Sequence, residues 1–324
     1  MKIAQFIQAG TPEEVLEIKE ISLLEPKAGE LRVRVKASPI NPSDTMFVRG
    51  LYGIRPQLPS GAGFEGVGIV DAVGEGVDIP VGTRVMFTTI GAWAEYAIVS
   101  AKTASPVPAH IPDEVAAQSF VNPLTAWAMI HESGVKAGGW LLLTAGGSTF
   151  SQLVIQMAKS KGINTIATVR RNDQDEQLKA LGVTAIVNTE DSKWVKQVFE
   201  LTGGQGADCC LEAVGGATAT QALKCLKNNG KMLIYGLLSL QNPTVDSGLM
   251  IFKNLTIKGF WLTAWLAEAD KNVKQELFKE VYSLLGTDAL KVTIEARYSL
   301  DKIKEAVAHA DKPGRNGKVL VVID

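Results

Sequence analysis

The chain has 324 residues, more than one ordinary domain fills, so two domains are expected. Apolar residues make up 46% and charged residues 21%, the balance of an ordinary globular protein. Lys plus Arg is 33 against 34 for Asp plus Glu, which argues against a nucleic acid or membrane surface as the main partner, and no apolar run is long enough to span a bilayer.

The opening "MKIAQFIQAG" has neither the apolar stretch of a secretory leader nor the Arg/Ser bias of a transit peptide, so a cytoplasmic protein is expected. Up to about residue 120 the chain reads as short β-type runs broken by glycine and proline: "LRVRVKA" (31–37), "GVGIVDAVG" (66–74), "TRVMFTT" (83–89) and "AEYAIVS" (94–100). This alternation predicts a mostly antiparallel, partly barrel-like domain.

The pattern changes near Pro112. "PDEVAAQSFVNPLTAWAMIHES" (112–133) opens with a helix-start signal and continues at helical spacing. Strands and helices then alternate. "WLLLTA" precedes a helix over about 150–161, and "NTIATV" one near 174–181. "TAIVN" precedes "SKWVKQVFELTG", "DCCLEAVG" precedes "ATQALKCLKNNG", and "KMLIYG" follows. Near-continuous apolar strands of this kind predict a doubly wound parallel sheet covered on both faces. "LTIKGFWLT" reads as one further strand. After the helix "NVKQELFKEVYSLLG", the strands "KVTIEARYS" and "KVLVVID" are expected to return to the first domain. The fold class is thus α/β, with a mostly antiparallel β domain beside a parallel-sheet domain.

Between the first parallel strand and its helix lies "AGGSTFS" (145–151). Gly146 and Gly147 let backbone N–H groups approach a pyrophosphate at the positive end of a helix, and Ser148, Thr149 and Ser151 add hydroxyls. The turn departs from G-x-G-x-x-G, and on these residues alone a tight turn in a parallel sheet reads equally well. The next strand ends in Arg170, Arg171 and Asn172, with no acid at its tip to hold ribose hydroxyls. Arginine pairs bidentately with phosphate oxygens, so a 2′-phosphate is expected there, and with it NADPH over NADH. The alternative is a solvated basic loop partnered by Asp173 and Asp175.

Cys209, Cys210 and Cys225 are the only cysteines, and they read as reduced core thiols. His110, His131 and His309 are scattered without ligand spacing, so no metal is expected.

Several stretches together resemble the zinc-independent members of the medium-chain dehydrogenase/reductase superfamily, and most closely its 2-enoyl thioester reductases. The passages are "INPSDTMFVRGLYGIRPQLP" (40–59), "GFEGVG" (63–68), "NPLTAW" (122–127), "SQLVIQMA", "VRRND", "YGLLS" (235–239), "GFWLTAW" (259–265) and "NGKVLV". The resemblance covers nearly the whole chain. It implies a GroES-like catalytic domain over 1–121, a Rossmann cofactor domain over 122–265 and a returning segment over 266–324.

It also implies roles. Tyr52 is the candidate catalytic phenol, and Asn41 orients substrate or nicotinamide, although an Asn before Pro42 also suits a turn. Asn122 and Thr125 meet the nicotinamide end of the cofactor. Gly146, Gly147, Ser148, Thr149 and Phe150 form the phosphate turn, where the family has a different, glycine-containing motif. Tyr235, Gly236, Leu237 and Leu238, with Phe260, Trp261 and Leu262, wall the cofactor, and Lys318 lies near it. Trp261 and Trp265 read equally well as core.

The superfamily's zinc enzymes need an early Cys or His, a His-Glu pair and a later Cys. Here those places hold Asn41, Phe64-Glu65 and the cysteine-free "FVNPLTAW". Without a Lewis acid, reduction of an activated alkene is favoured over alcohol oxidation. The expected reaction is NADPH-dependent reduction of a trans-2-enoyl thioester on CoA or acyl carrier protein, as in fatty acid metabolism. A quinone or enone reductase is the alternative, and a binding protein that has lost the cofactor is a third reading. A homodimer through the edge of the Rossmann sheet, near residues 255–261, is implied as well.

Overall fold

The computed structural model describes residues 1–323. It divides into two compact units. One comprises Met1–Val121 together with the residues from Leu285 onward, and the other is Asn122–Leu284. The chain rejoins the first unit at Leu285, so the helix Lys271–Leu284 belongs to the second.

In the first unit the long strand Glu30–Pro39 is the organiser. Its "LRVRVKA" alternation buries Leu31, Val33, Val35 and Ala37, while the basic residues between them face outward. It pairs antiparallel with Glu65–Val73, Tyr96–Ser100 and the final strand Lys318–Val322. The full sheet has seven strands, and only Ile294–Ser299 and Lys318–Val322 run parallel to each other. A small sheet of Glu17–Glu20, Lys2–Phe6 and Ser60–Gly61 completes the unit. The core joins these strands to the helix Ile303–Asp311 and to Phe47 of the helix Pro42–Val48.

The second unit is a six-stranded parallel sheet. In spatial order its strands are Ala185–Asn188, Asn164–Val169, Trp140–Leu143, Ala207–Glu212, Leu226–Ile234 and Thr256–Gly259. Taken by chain position this is 3-2-1-4-5-6, the doubly wound order whose switch point falls between Trp140–Leu143 and Ala207–Glu212. Both expected sheet types are therefore present.

Three local readings need correction. The stretch 112–133 is two helices, Asp113–Ala116 and Val121–Ser133, rather than one. The helix expected over "ATQALKCLKNNG" stops at Lys224, and Leu226–Ile234 runs through "KNNG" as an irregular strand, because Leu226 and Lys231–Ile234 on either side pair with Ala207–Glu212 across a register shift. "LTIKGFWLT" ends as a strand at Gly259, and a helix begins at Leu262.

Candidate active site

In the second unit the strands' C-terminal ends gather most of the expected cofactor residues. The turn after Trp140–Leu143 is tied to the neighbouring strand by Gly146 N donating to Thr168 O (2.8 Å). Ala145, just before it, has a left-handed backbone (φ 50°). Ser148 caps the helix Thr149–Ser160: its Oγ accepts from Ser151 N at 3.1 Å. The cap uses the Ser148 hydroxyl within the turn, and Ser151 is buried, bonded to the Tyr235 phenol. Of the three hydroxyls expected to face a phosphate, Thr149 alone is neither the cap nor buried. Phe150 stacks on Tyr235, ring centroids 4.5 Å apart, so this pair backs the turn.

At the switch point Thr144 and Glu212 meet. Thr144 Oγ1 donates to Glu212 Oε1 (3.2 Å), and that oxygen also accepts from Val214 N (2.7 Å) and Gly215 N (3.0 Å). Glu212 is fully buried, and its other oxygen has no hydrogen-bond partner among the described residues. The loop 235–239 folds against this corner, with Leu238 N donating to Ala213 O (2.9 Å). Sequence reading missed Glu212. The available signal was an acid ending the apolar strand "DCCLE".

Arg170 and Arg171 are both exposed at the end of Asn164–Val169. Arg171 has a loose partner in Asp173 (3.5 Å, both side chains 55% exposed), and among the described residues Arg170 has no carboxylate partner. Asn172 bonds Asn188 across the strand ends (2.5 Å). Asn122 and Thr125 lie in the first turns of Val121–Ser133. Phe260 and Leu262 are buried, while Trp261 is 38% exposed where the helix Leu262–Glu268 begins. Trp265 reaches Glu132 (3.4 Å).

These features fit a phosphorylated dinucleotide: a backbone-lined turn, a helix N-terminus and two exposed guanidinium groups where an acid is missing suit its phosphates, and the orphaned acceptor at the switch point suits a hydroxyl donor.

In the first unit the structure brings Asn41 and Lys318 together in one buried cluster. Asn41, Asp44, Glu65 and Lys318 are each at most 2% exposed. Asn41 Nδ2 donates to Glu65 Oε1 (2.7 Å), Lys318 Nζ donates to Asn41 Oδ1 (2.6 Å), and Asn41 N donates to Asp44 Oδ2 (2.7 Å). Burial pushes the Asp44 carboxyl up to about 8 and brings the Lys318 ammonium down to about 8. Burial also raises Glu65 above the usual carboxylate range, against the donors that face it.

Asn41 is thus engaged at both ends of its amide by side chains of its own unit. The ammonium inside the cluster repels any second cation, so these residues do not fit a zinc ion. Among the described residues no group of three or more His, Cys, Asp or Glu is placed to hold a metal.

Tyr52 follows the helix Pro42–Val48, is partly buried, and packs on Phe64 with ring centroids 5.3 Å apart. Asp44 and Glu65 had no assigned role in the sequence. Asp44 is legible as the third helical residue of an Asn-x-x-Asp capping pattern, and Glu65 as a charge at the head of the apolar run "EGVGIV".

Residues 27–109 match the family model for the alcohol dehydrogenase GroES-like domain, and residues 151–283 the model for zinc-binding dehydrogenases. Over 288 residues the chain is 34% identical to the mitochondrial enoyl-[acyl-carrier-protein] reductase of Xenopus tropicalis, covering 85% of this chain and 81% of that one. The chain is a medium-chain dehydrogenase/reductase. The Homo sapiens mitochondrial enoyl-[acyl-carrier-protein] reductase is 30% identical over 322 residues, with 97% and 86% covered. The crystal structure of Escherichia coli quinone oxidoreductase complexed with NADPH superposes with a TM-score of 0.92 at 28% identity, over 99% of this chain and 100% of that one.

This medium-chain reductase is therefore an oxidoreductase of the zinc-independent branch that holds the enoyl reductases and quinone oxidoreductases. The named enoyl reductases are mitochondrial, whereas the cytoplasm was expected here. No helix among the described residues is long and apolar enough to cross a membrane.

Proposed function

We propose that this medium-chain reductase uses NADPH to reduce the carbon–carbon double bond of a trans-2-enoyl thioester. The observation that carries the reading is the pairing of a metal-incompatible cluster at Asn41, Glu65 and Lys318 with a phenol, Tyr52, on the adjoining segment. When bound, NADPH supplies the hydride that adds to the β-carbon. The turn at Gly146 and Gly147 would hold the cofactor's pyrophosphate through the Gly147 backbone and the Thr149 hydroxyl, with Gly146 N tied to Thr168 O behind it. Arg170 and Arg171 would hold the cofactor's 2′-phosphate, and the free oxygen of Glu212 would accept from one of its hydroxyls.

Hydride addition leaves negative charge on the thioester oxygen and α-carbon. Tyr52 donates a hydrogen bond to that oxygen, or its proton to the α-carbon. A positioned acid of this kind is worth about 100- to 10,000-fold in rate. Packing on Phe64 limits the ring's freedom, so the phenol is held ready. Trp261, exposed between the buried Phe260 and Leu262, presents apolar surface suited to an acyl chain.

A second copy of the chain is the expected partner. The strand Thr256–Gly259 has only one sheet neighbour, and in the preceding helix Ile251 and Phe252 are 70% and 85% exposed. Strand edges flanked by apolar side chains favour pairing with another chain.

A quinone or enone acceptor is the second reading, supported by the quinone oxidoreductase likeness. A side-by-side assay with NADPH and crotonyl-CoA, longer enoyl-CoAs, a simple enone and a quinone separates the two. Enoyl-CoA should give the highest kcat/KM. No turnover across chain lengths, with turnover of quinone, would overturn the thioester assignment.

A further inference from the structure

Glu65 opens the strand Glu65–Val73, and its two oxygens face three donors. Oε1 accepts from Asn41 Nδ2 at 2.7 Å, and Oε2 accepts from Phe120 N at 3.1 Å and Val121 N at 2.9 Å. Asn41 in turn offers Oδ1 to Lys318 Nζ at 2.6 Å. This hydrogen-bonded chain has a fixed polarity. Backbone N–H groups at one end and an ammonium at the other can only donate. The carboxamide of Asn41 accepts on one side and donates on the other, so it merely passes the polarity along. A run with donors at both ends closes only through a group that accepts on both faces, and Glu65 is that group.

The segments held by Glu65 are neighbours along the chain of the residues assigned to the chemistry. Val121 begins the helix in which Asn122 and Thr125 follow. Asn41 precedes the helix Pro42–Val48, and Tyr52 comes after it and packs on Phe64, the residue before Glu65. The other charges facing the cluster are Asp44, from the helix Pro42–Val48, and Arg315, whose charge opposes protonation of Lys318.

We propose that Glu65 is a positioning residue of the reductase: with Asn41 and Lys318 on one side and the Phe120 and Val121 amides on the other, it holds the segment that leads to Tyr52 and the Phe120–Val121 backbone to a single carboxylate. The proposal rests on the reading of Tyr52, Asn122 and Thr125 given above, but not on which alkene is reduced.

Three variants test it: Glu65→Gln, Lys318→Met and the double variant. In Glu65→Gln, whichever way the two carboxamides turn, two donors face each other at one link. In the double variant Asn41 is free to turn over, so no two donors face each other along the run from Phe120 and Val121 to Asn41. Amide hydrogen exchange at Phe120 and Val121 should speed up roughly 10- to 100-fold in Glu65→Gln, the worth of a hydrogen bond to a charged group. Its kcat should fall by a similar factor, with KM nearly unchanged. The double variant should recover most of both losses, a non-additivity that independent sites do not show.

The proposal is overturned if exchange in Glu65→Gln matches the parent, or if the double variant is no better than Glu65→Gln. It is also overturned if Lys318→Met weakens NADPH binding, followed by tryptophan quenching, about tenfold or more and the double variant fails to restore it, because Lys318 then serves the cofactor. Should Glu65→Gln not fold, the double variant must fold with protected Phe120 and Val121 amides, or the proposal fails. If the parent reduces no alkene, the proposed function falls while the exchange measurement still decides this inference.

Discussion

Two alanine substitutions, one residue apart, separate the scaffold of the phosphate turn from its cradle. A Cβ at Gly146 sits 2.6 Å from Ala167 Cβ and 2.9 Å from both Ala167 Cα and Thr168 N, all rigid parts of the next strand. The turn is also hydrogen-bonded to that strand through Gly146 N. Gly146→Ala is therefore an overpacking change, costing about 1–3 kcal/mol, or a fall in Tm of roughly 2–10 °C. A Cβ at Gly147 overlaps only the carboxamide of Gln174, the far end of a flexible side chain. Gly147→Ala should change stability by no more than about 0.5 kcal/mol.

If a pyrophosphate approaches the backbone at Gly147, the small methyl matters there for a different reason. NADPH affinity should drop about tenfold or more while Tm stays put. Melting curves with and without NADPH read both quantities, since a ligand at a hundred times Kd adds about 2.7 kcal/mol. A Gly147→Ala protein that binds NADPH like the parent would refute the placement of the pyrophosphate. An unchanged Tm in Gly146→Ala would refute the packing argument.

Tyr52→Phe should lower kcat about 100- to 10,000-fold with NADPH affinity unchanged in a fluorescence titration. Arg170→Ala should weaken NADPH roughly tenfold to a hundredfold and leave NADH as it was, because only the former carries the 2′-phosphate. Asp44 holds a proton in the folded chain up to about pH 8, whereas the unfolded chain releases it near 3.8. Stability therefore falls as pH rises across that window. Asp44→Asn should flatten the dependence of Tm on pH between these values, and at pH 8 it should be no less stable than the parent. The proposed pairing of two copies through the exposed edge beside Thr256–Gly259 predicts a dimer in light scattering that Phe252→Asp converts to a monomer without loss of the folded signal; a parent that is monomeric refutes it.

The two-sheet architecture was readable because each sheet leaves a different local period. "LRVRVKA" alternates since one face of its strand lies in the core and the other carries basic residues, whereas "WLLL" and "NTIATV" are buried along almost their whole length because both faces of the parallel sheet are covered. Local pattern failed where a neighbouring strand decides. "KNNG" has no strand character of its own and has no register partner in Ala207–Glu212, yet it is carried within the strand because Leu226 and Lys231 on either side of it pair there across a register shift. Of the site, the glycine turn and the arginine pair were legible because each sits at a fixed place after a parallel strand. The buried cluster was not, because the resemblance puts Lys318 near the cofactor and its partner Asn41 is 277 residues away along the chain. Nothing local indicates that a lysine at a strand end turns inward. That follows only from the antiparallel pairing of Lys318–Val322 with Glu30–Pro39.

The reaction itself is tested most directly by isotope placement. NADPH deuterated at the transferable C4 position, mixed with the protein and crotonyl-CoA in ordinary water, should give butyryl-CoA with one deuterium at the β-carbon. The same reaction with unlabelled NADPH in heavy water should place deuterium at the α-carbon. Label at the α-carbon in the first experiment, or no reduced thioester at all, would contradict hydride delivery to an enoyl thioester.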